Sequence, residues 1–400
     1  MFTLIRNADV HAPDHLGKRD ILICGPRIVA IAEDLMVSGL PDCRVADVGG
    51  RIVAPGFVDG HVHLIGGGGE GGFHTRTPEV DLTALTTGGI TTVVGLLGTD
   101  ALARHPEALY AKARGLTNEG VSAYMFTGGY KVPSPTITGA VDRDVAFIDR
   151  VLGAKVAISD HRGSQPTREE LARLASQARV GGILAGKAGC VVAHLGNGAA
   201  RLDPLREVIA TTEVPRRQFI PTHVNRGSAL LEDAVKWGKS GGYMDFTCFA
   251  SASGGPERSG PVKTSAGIAR CLKEGVALEL ICMSSDGNGS QPLFDARGNL
   301  SGIGVAGFDG LLRELGDLVG REGVPLETAL RPITRTPAEA LGLSPRKGVL
   351  ASGGDADLLI LNGDMSIDRV YAMGRVMVEN GEAVAHGTFS NEDRRNHRHE

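Results

Sequence analysis

No apolar run in this 400-residue chain approaches the ~20 residues that a membrane-spanning helix needs, so no transmembrane segment is expected. A surplus of positive charge is missing too. The 42 Lys and Arg against 46 Asp and Glu leave a formal net charge of -4 and no basic stripe, which argues against nucleic acid or an anionic membrane as a partner. The six cysteines (Cys24, Cys43, Cys190, Cys248, Cys271, Cys282) contain no CxxC pair. That excludes a zinc knuckle or a disulfide framework and suits buried thiols in a reducing compartment. The opening MFTLIRNADVHAPD has no charged segment followed by a long apolar one, so a signal peptide is not expected and a cytoplasmic location is. Aromatics are few (11 Phe, 5 Tyr, 1 Trp), whereas 57 glycines punctuate the turns between apolar runs without any Gly-X-Y period.

A chain of this length suits one large domain and a smaller one. From Phe57 onward, apolar β-branched runs alternate with amphipathic stretches. The runs are FVDGHVHL (57–64), TTVVGLLG (91–98), SAYMFTGG (122–129), KVAISD (155–160), CVVAHLG (190–196), QFIPTHVN (218–225), YMDFTCF (243–249) and LICMSSD (280–286). Between them, HPEALYAKARGLTNEG, REELARLASQAR and ALLEDAVKWGKSGG carry apolar residues at helical spacing. Units of this size, repeated over the ~250 residues of a typical barrel, predict an α/β fold, a (β/α)8 TIM-like barrel over 55–345. A doubly wound open sheet is the rival, but no Gly-x-Gly-x-x-Gly turn follows the first strand. Residues 1–54 and 346–390 read instead as short alternating strands with Gly and Asn-Gly turns. Neither set can bury a face alone, so both chain ends are expected to form one small β-sandwich domain. The basic cluster Arg394, Arg395, His397, Arg398 and His399 within 391–400 reads as a solvated tail.

Chemistry concentrates at strand ends. His61-Val62-His63 closes the first barrel strand, and residues two apart on a strand face the same way. Lys155 opens strand four, His194 and His223 lie late in strands five and six, and Asp286 follows strand eight. Taken singly, these four read as well as a core or surface histidine, a turn-forming aspartate and an ordinary strand-end lysine. Taken together, six metal-type residues recur where a barrel gathers its active-site face, and they point to a metal centre. Histidine and carboxylate donors suit zinc, with manganese or cobalt as alternatives. Directly after His63, the glycines of IGGGGE allow close backbone approach to a ligand and bring the anionic Glu70 to the barrel mouth. Arg162, in SDHR, and Arg226, three residues after His223, suit a carboxylate; without the metal cluster both would read as surface residues.

The set of HxH, a lysine in strand four, two later single histidines and a final aspartate resembles the binuclear branch of the amidohydrolase superfamily. More narrowly, HVHLIGGGGE, TRTPEV, VVGLLGTD, TGGYKVPS, AISDHR, PTHVNR, SSDGNGSQP and GVAGF resemble the isoaspartyl (β-aspartyl) dipeptidases, from about residue 55 to 340. The resemblance implies two Zn2+ per chain, His61 and His63 on one and His194 and His223 on the other. It implies that Lys155 is carbamylated and bridges both ions together with hydroxide, and that Asp286 is both ligand and acid–base. Glu70 would hold the substrate ammonium, Arg162 and Arg226 its C-terminal carboxylate, and Tyr130 would polarise the scissile carbonyl. Thr99, Ser290 and the glycine loop near Gly68 would contact the β-aspartyl end. A homo-octamer acting on a small zwitterionic dipeptide is likewise implied. The alternatives are a cyclic-amide hydrolase of the dihydropyrimidinase or dihydroorotase kind, and a non-catalytic scaffold with the same fold.

Overall fold

The computed structural model describes residues 1–248, 260–294 and 300–390. Eight parallel strands lie side by side in chain order: β1 (Phe57–Val62), β2 (Ile90–Gly95), β3 (Ser122–Gly128), β4 (Val151–Ile158), β5 (Cys190–Leu195), β6 (Phe219–Thr222), β7 (Met244–Thr247) and β8 (Ile281–Ser284). Every residue of β2, β4 and β5 is buried, as strands covered on both faces must be. The end of the series meets its beginning through a parallel bridge between Val62 and Gly287, where the His63 N–H donates to the Gly287 carbonyl at 3.0 Å. The result is the expected (β/α)8 barrel, nearly closed.

Local chemistry sets the surrounding helices. In helix Arg168–Ala185, Thr167 and Glu170 form a reciprocal capping box, and Gly186 at φ 64 ends the helix in the left-handed conformation that glycine adopts without strain. Leu171, Leu174, Ala175 and Ala178 supply its buried stripe, and each leucine contributes roughly 1.5–3 kcal/mol by leaving water. Helix Pro106–Glu119 starts on a proline at its first turn and stops at Gly120.

Strand four differs from its expected extent. Val151–Ala154 continue it upstream, paired with β3 and β5, so Lys155 sits mid-strand rather than at its start. Strands β6 and β8 are short. His223 therefore falls just past β6 with φ 67, and Asp286 two residues past β8 with φ 53. Both occupy the left-handed region, which costs a side-chain-bearing residue ~1–2 kcal/mol. The turn-rich segment after β8 carries a further antiparallel hairpin, Ser290–Phe294 with Leu300–Val305. Phe249 and the basic C-terminal cluster lie outside the described residues.

Both chain ends join in one mixed nine-stranded sheet. Leu358–Leu361 pairs antiparallel with Ile52–Pro55, which adjoins Phe2–His11 and then His15–Cys24. The sheet is tied to the barrel by Lys347, whose buried ammonium contacts Asp355 at 2.8 Å, Asp357 at 2.5 Å and the Ser122 hydroxyl at the start of β3 at 2.5 Å. Among the described residues, no helix is long and apolar enough to cross a membrane.

Candidate metal centre and substrate pocket

The middle of β4 and the ends of β1, β5, β6 and β8 bring the six candidate ligands together. Asp286 Oδ1 lies 3.3 Å from His63 Nε2 and 3.5 Å from His61 Nε2. Lys155 Nζ is 3.0 Å from His61 Nε2. The His223 ring stands 5.0 Å from that of His61 and 4.6 Å from that of His194, centre to centre. All six side chains are buried. Burial drives the imidazoles of His61, His194 and His223 well below the usual histidine range, with the charges of Lys155 and Arg226 acting in the same direction, so all three present neutral lone pairs. Burial likewise brings the Lys155 amine down to about 7, against the nearby Asp286 and Asp245 carboxylates.

Three residues outside the expected set hold this constellation. Asp59 accepts hydrogen bonds from the Ser285 hydroxyl, the Ser285 N–H and the His61 N–H, fastening β1 to the segment that carries Asp286. Asp245 accepts from the Thr222 and Ser284 hydroxyls at 2.7 Å each, joining β6, β7 and β8. Burial raises Asp59 to about 7 and Asp245 to about 6, while their hydrogen bonds oppose the rise. Thr247 Oγ1 stands 2.7 Å from His223 Nδ1 and fixes that ring. A single acid inside an apolar strand run, as in FVDGHVHL and YMDFTCF, is the sequence signal for the two carboxylates.

Above the floor opens a cavity of about 690 Å3, lined among others by Gly68, Thr99, Tyr130, Arg226 and Ser290. Glu70 sits on its wall. Its carboxylate accepts from the Thr99 and Ser290 hydroxyls at 3.1 Å each and pairs with Arg162 Nη1 at 3.2 Å. The glycine loop turns tightly beneath it. Gly68 has φ 74, and a Cβ there would stand 2.5 Å from the Thr75 carbonyl, so only glycine fits. Buried Arg104 pins the same loop by donating to the Ile65 and Thr77 carbonyls at 2.8 Å each, a contact that its position in the sequence does not announce.

Asp160 links the wall to the floor. It receives Arg162 through both Nε at 3.0 Å and Nη2 at 2.8 Å, and its Oδ2 lies 2.9 Å from His194 Nε2. A carboxylate can only accept, so Nε2 carries the proton and Nδ1 keeps the lone pair. That lone pair faces the Tyr130 hydroxyl at 2.8 Å. Burial pushes the Tyr130 phenol above its ordinary range, so it stays a donor; Asp160, despite its burial, is held far below the usual carboxylate range by His194 and Arg162.

The donor set fits divalent cations. His61, His63 and Asp286 offer one ligand atom each within 4.8 Å of one another. Buried His61 Nδ1, His63 Nδ1 and Asp286 Oδ1 have no hydrogen-bond partner. Lys155, His194 and His223 supply a second group beside the first. Imidazole nitrogens and a carboxylate oxygen buried without a hydrogen-bond partner are costly, and a cation satisfies such atoms.

The Amidohydrolase family pattern matches residues 221–377. A solved β-aspartyl dipeptidase from Fervidobacterium islandicum, in complex with β-Asp-Leu dipeptide, superposes with a TM-score of 0.87 at 37% identity, covering 98% of this chain and 100% of that one. The chain belongs to the β-aspartyl dipeptidase family of amidohydrolases. As a member of that family it is a metal-dependent hydrolase. The L-hydantoinase of Paenarthrobacter aurescens is 26% identical over 400 residues, 91% of this chain and 86% of that protein. Dihydropyrimidinase from Brevibacillus agri shares the fold, with a TM-score of 0.66 at 19% identity over 97% of each chain.

Proposed function

We propose that the chain hydrolyses β-aspartyl dipeptides at a centre of two divalent cations, zinc being the ion that best suits the donors. His61 and His63 would hold one ion and His194 and His223 the other. Lys155, as a carbamate formed by addition of carbon dioxide to its neutral amine, would bridge them, and Asp286 would complete the first. When bound, the cation pair supplies a water of lowered pKa and polarises the amide carbonyl.

The chain's own groups would do the rest. Asp286 takes a proton from the attacking water and returns it to the leaving amine nitrogen, acting as base and then acid. The Tyr130 hydroxyl donates to the oxygen on which negative charge develops. Glu70 accepts the substrate ammonium with Thr99 and Ser290 around it, and the loop at Gly68 closes on the β-aspartyl end. The 3.2 Å between Glu70 and Arg162 refines the assignment of the arginines. Adjacent opposite charges match an ammonium and a carboxylate on a single carbon, which the free α-carbon of a β-aspartyl unit provides. Arg162 is therefore assigned to the α-carboxylate, and Arg226, whose buried Nε has no hydrogen-bond partner among the described residues, to the C-terminal carboxylate.

The observation that carries this reading is Glu70 and Arg162 side by side in the cavity over the histidine cluster. A panel of α- and β-linked aspartyl dipeptides, hydantoin and dihydroorotate tests it; the hydantoinase likeness makes cyclic amides the reading to beat. Cleavage of β-Asp-Leu and not of α-Asp-Leu is expected. Glu70→Gln should lower kcat/KM on β-Asp-Leu by about 10- to 100-fold, matching the roughly 1.5–3 kcal/mol of a hydrogen bond to a charged group. An unaffected rate would remove the ammonium contact, and turnover of cyclic amides alone would replace the reading.

Asp160 gives a separate expectation. Asparagine there keeps the shape but weakens the grip on Arg162 and on the His194 tautomer. Metal affinity should fall by about 10- to 100-fold, the usual cost of losing a carboxylate behind a ligating histidine. KM for β-Asp-Leu should rise in protein saturated with metal. Unchanged metal affinity and KM would leave Asp160 with a folding role only.

A further inference from the structure

A second cluster of ligand-type side chains lies on the mixed sheet, on elements that contribute nothing to the barrel mouth. Strands Phe2–His11 and His15–Cys24 form an antiparallel hairpin in which His11 is paired in register with His15. Asp9 and His11, two apart on one strand, share a face. Asp9, His11 and His15 each offer one ligand atom within 4.8 Å of the others. The two imidazole rings stack at 4.4 Å.

His11 is poorly provided for. Its side chain is 8% exposed, and its Nδ1 is buried without a hydrogen-bond partner. Its Nε2 stands 3.8 Å from Asp9 Oδ2, too far for a hydrogen bond. Two atoms each bonded to one zinc-class ion at ~2.0–2.1 Å lie roughly 3–4 Å apart, a range that includes the separation of His11 Nε2 from Asp9 Oδ2. The other Asp9 oxygen reaches His15 Nε2 at 2.7 Å, and His15, half exposed, has room to turn out of its stack on His11 so that both rings present a nitrogen to one ion. The hairpin tip is itself anchored to the helical segment that follows β8, where Asp14 pairs with Arg331 at 2.6 Å and Arg335 at 3.7 Å.

We infer that Asp9, His11 and His15 form a binding site for one divalent transition cation of the zinc class, separate from the catalytic centre. Two imidazoles and a carboxylate from seven consecutive residues make a three-ligand site that leaves a position open to water. An ion there staples the hairpin beside the place where the sheet docks on the barrel, so its role is structural.

The test uses the full-length, metal-replete protein dialysed against buffered zinc at micromolar free concentration, followed by elemental analysis. Wild type should retain one zinc per chain more than His15→Ala and one more than Asp9→Asn, and the Tm of wild type alone should rise across the same zinc range. His15 is half exposed, so its alanine variant is expected to keep the fold and the β-Asp-Leu rate of wild type; circular dichroism checks the fold. Equal zinc contents in all three proteins would overturn the site and leave the Asp9–His15 contact an ordinary hydrogen bond. Because the difference between proteins is read, failure here and failure of the catalytic centre give distinguishable results.

Discussion

Asp286→Asn is expected to lower kcat on β-Asp-Leu by ~10²–10⁴-fold, the range that a positioned acid–base contributes. Asparagine preserves volume and one carbonyl oxygen, and the left-handed backbone at residue 286, φ 53, is one that asparagine also tolerates. The fold and the approach to His61 and His63 should therefore survive. What vanishes is the capacity to take a proton and the negative charge that complements the ions. Metal content has to be measured on the same sample, because a variant that loses both ions would be inactive for a different reason. The informative result is a protein with metals retained and turnover lost. Near-normal turnover with metals bound would move the acid–base role to another residue, and Tyr130, held as a neutral phenol by its burial, could not take it up as a base.

The barrel was readable from the chain because its strands are buried on both faces and so appear as uninterrupted apolar runs, most clearly in 190–196 and 91–98. Their C-terminal ends announced His61, His63, His194, His223 and Asp286, since a barrel sends all those ends to one rim. The upstream end of β4 was less legible. In VLGAK the glycine and the small residues blur the onset of the strand, and pairing with β3 and β5 decided it. Tertiary partnerships left the faintest trace. Asp160 meets a histidine 34 positions away, and Glu70 meets an arginine 92 positions away. Neither distance is written in a local pattern. Lone acids in apolar runs were the one available hint, and Asp59 and Asp245 use it to fasten strands to each other beneath the centre.

Lys155→Ala is expected to cost turnover on the same scale as the loss of Asp286, and metal content besides. The Lys155 side chain is fully buried, and among the described residues no carboxylate lies within ion-pair distance of it. An ammonium in such a place is expensive, which is why burial brings its pKa to about 7. In the proposed reading the neutral amine, 3.0 Å from His61, would add to carbon dioxide; the new N–C bond would form as a proton leaves, giving an anionic group between the two sets of imidazoles. Removing it should lower the metal content per chain and reduce turnover by about 10³-fold or more, as expected from losing several kcal/mol of charge stabilisation. A purely structural lysine predicts something else. Lys155→Met fills the same space with an apolar chain, so on that view it would keep its metals and its rate. Short carboxylic acids separate the two further, because acetate or formate can enter the space vacated in the alanine variant and act as the missing anion, whereas methionine leaves them no room. Recovery of metal binding and turnover by formate in Lys155→Ala, but not in Lys155→Met, is the expected pattern. Full metal content and normal turnover in the methionine variant would refute the bridging role.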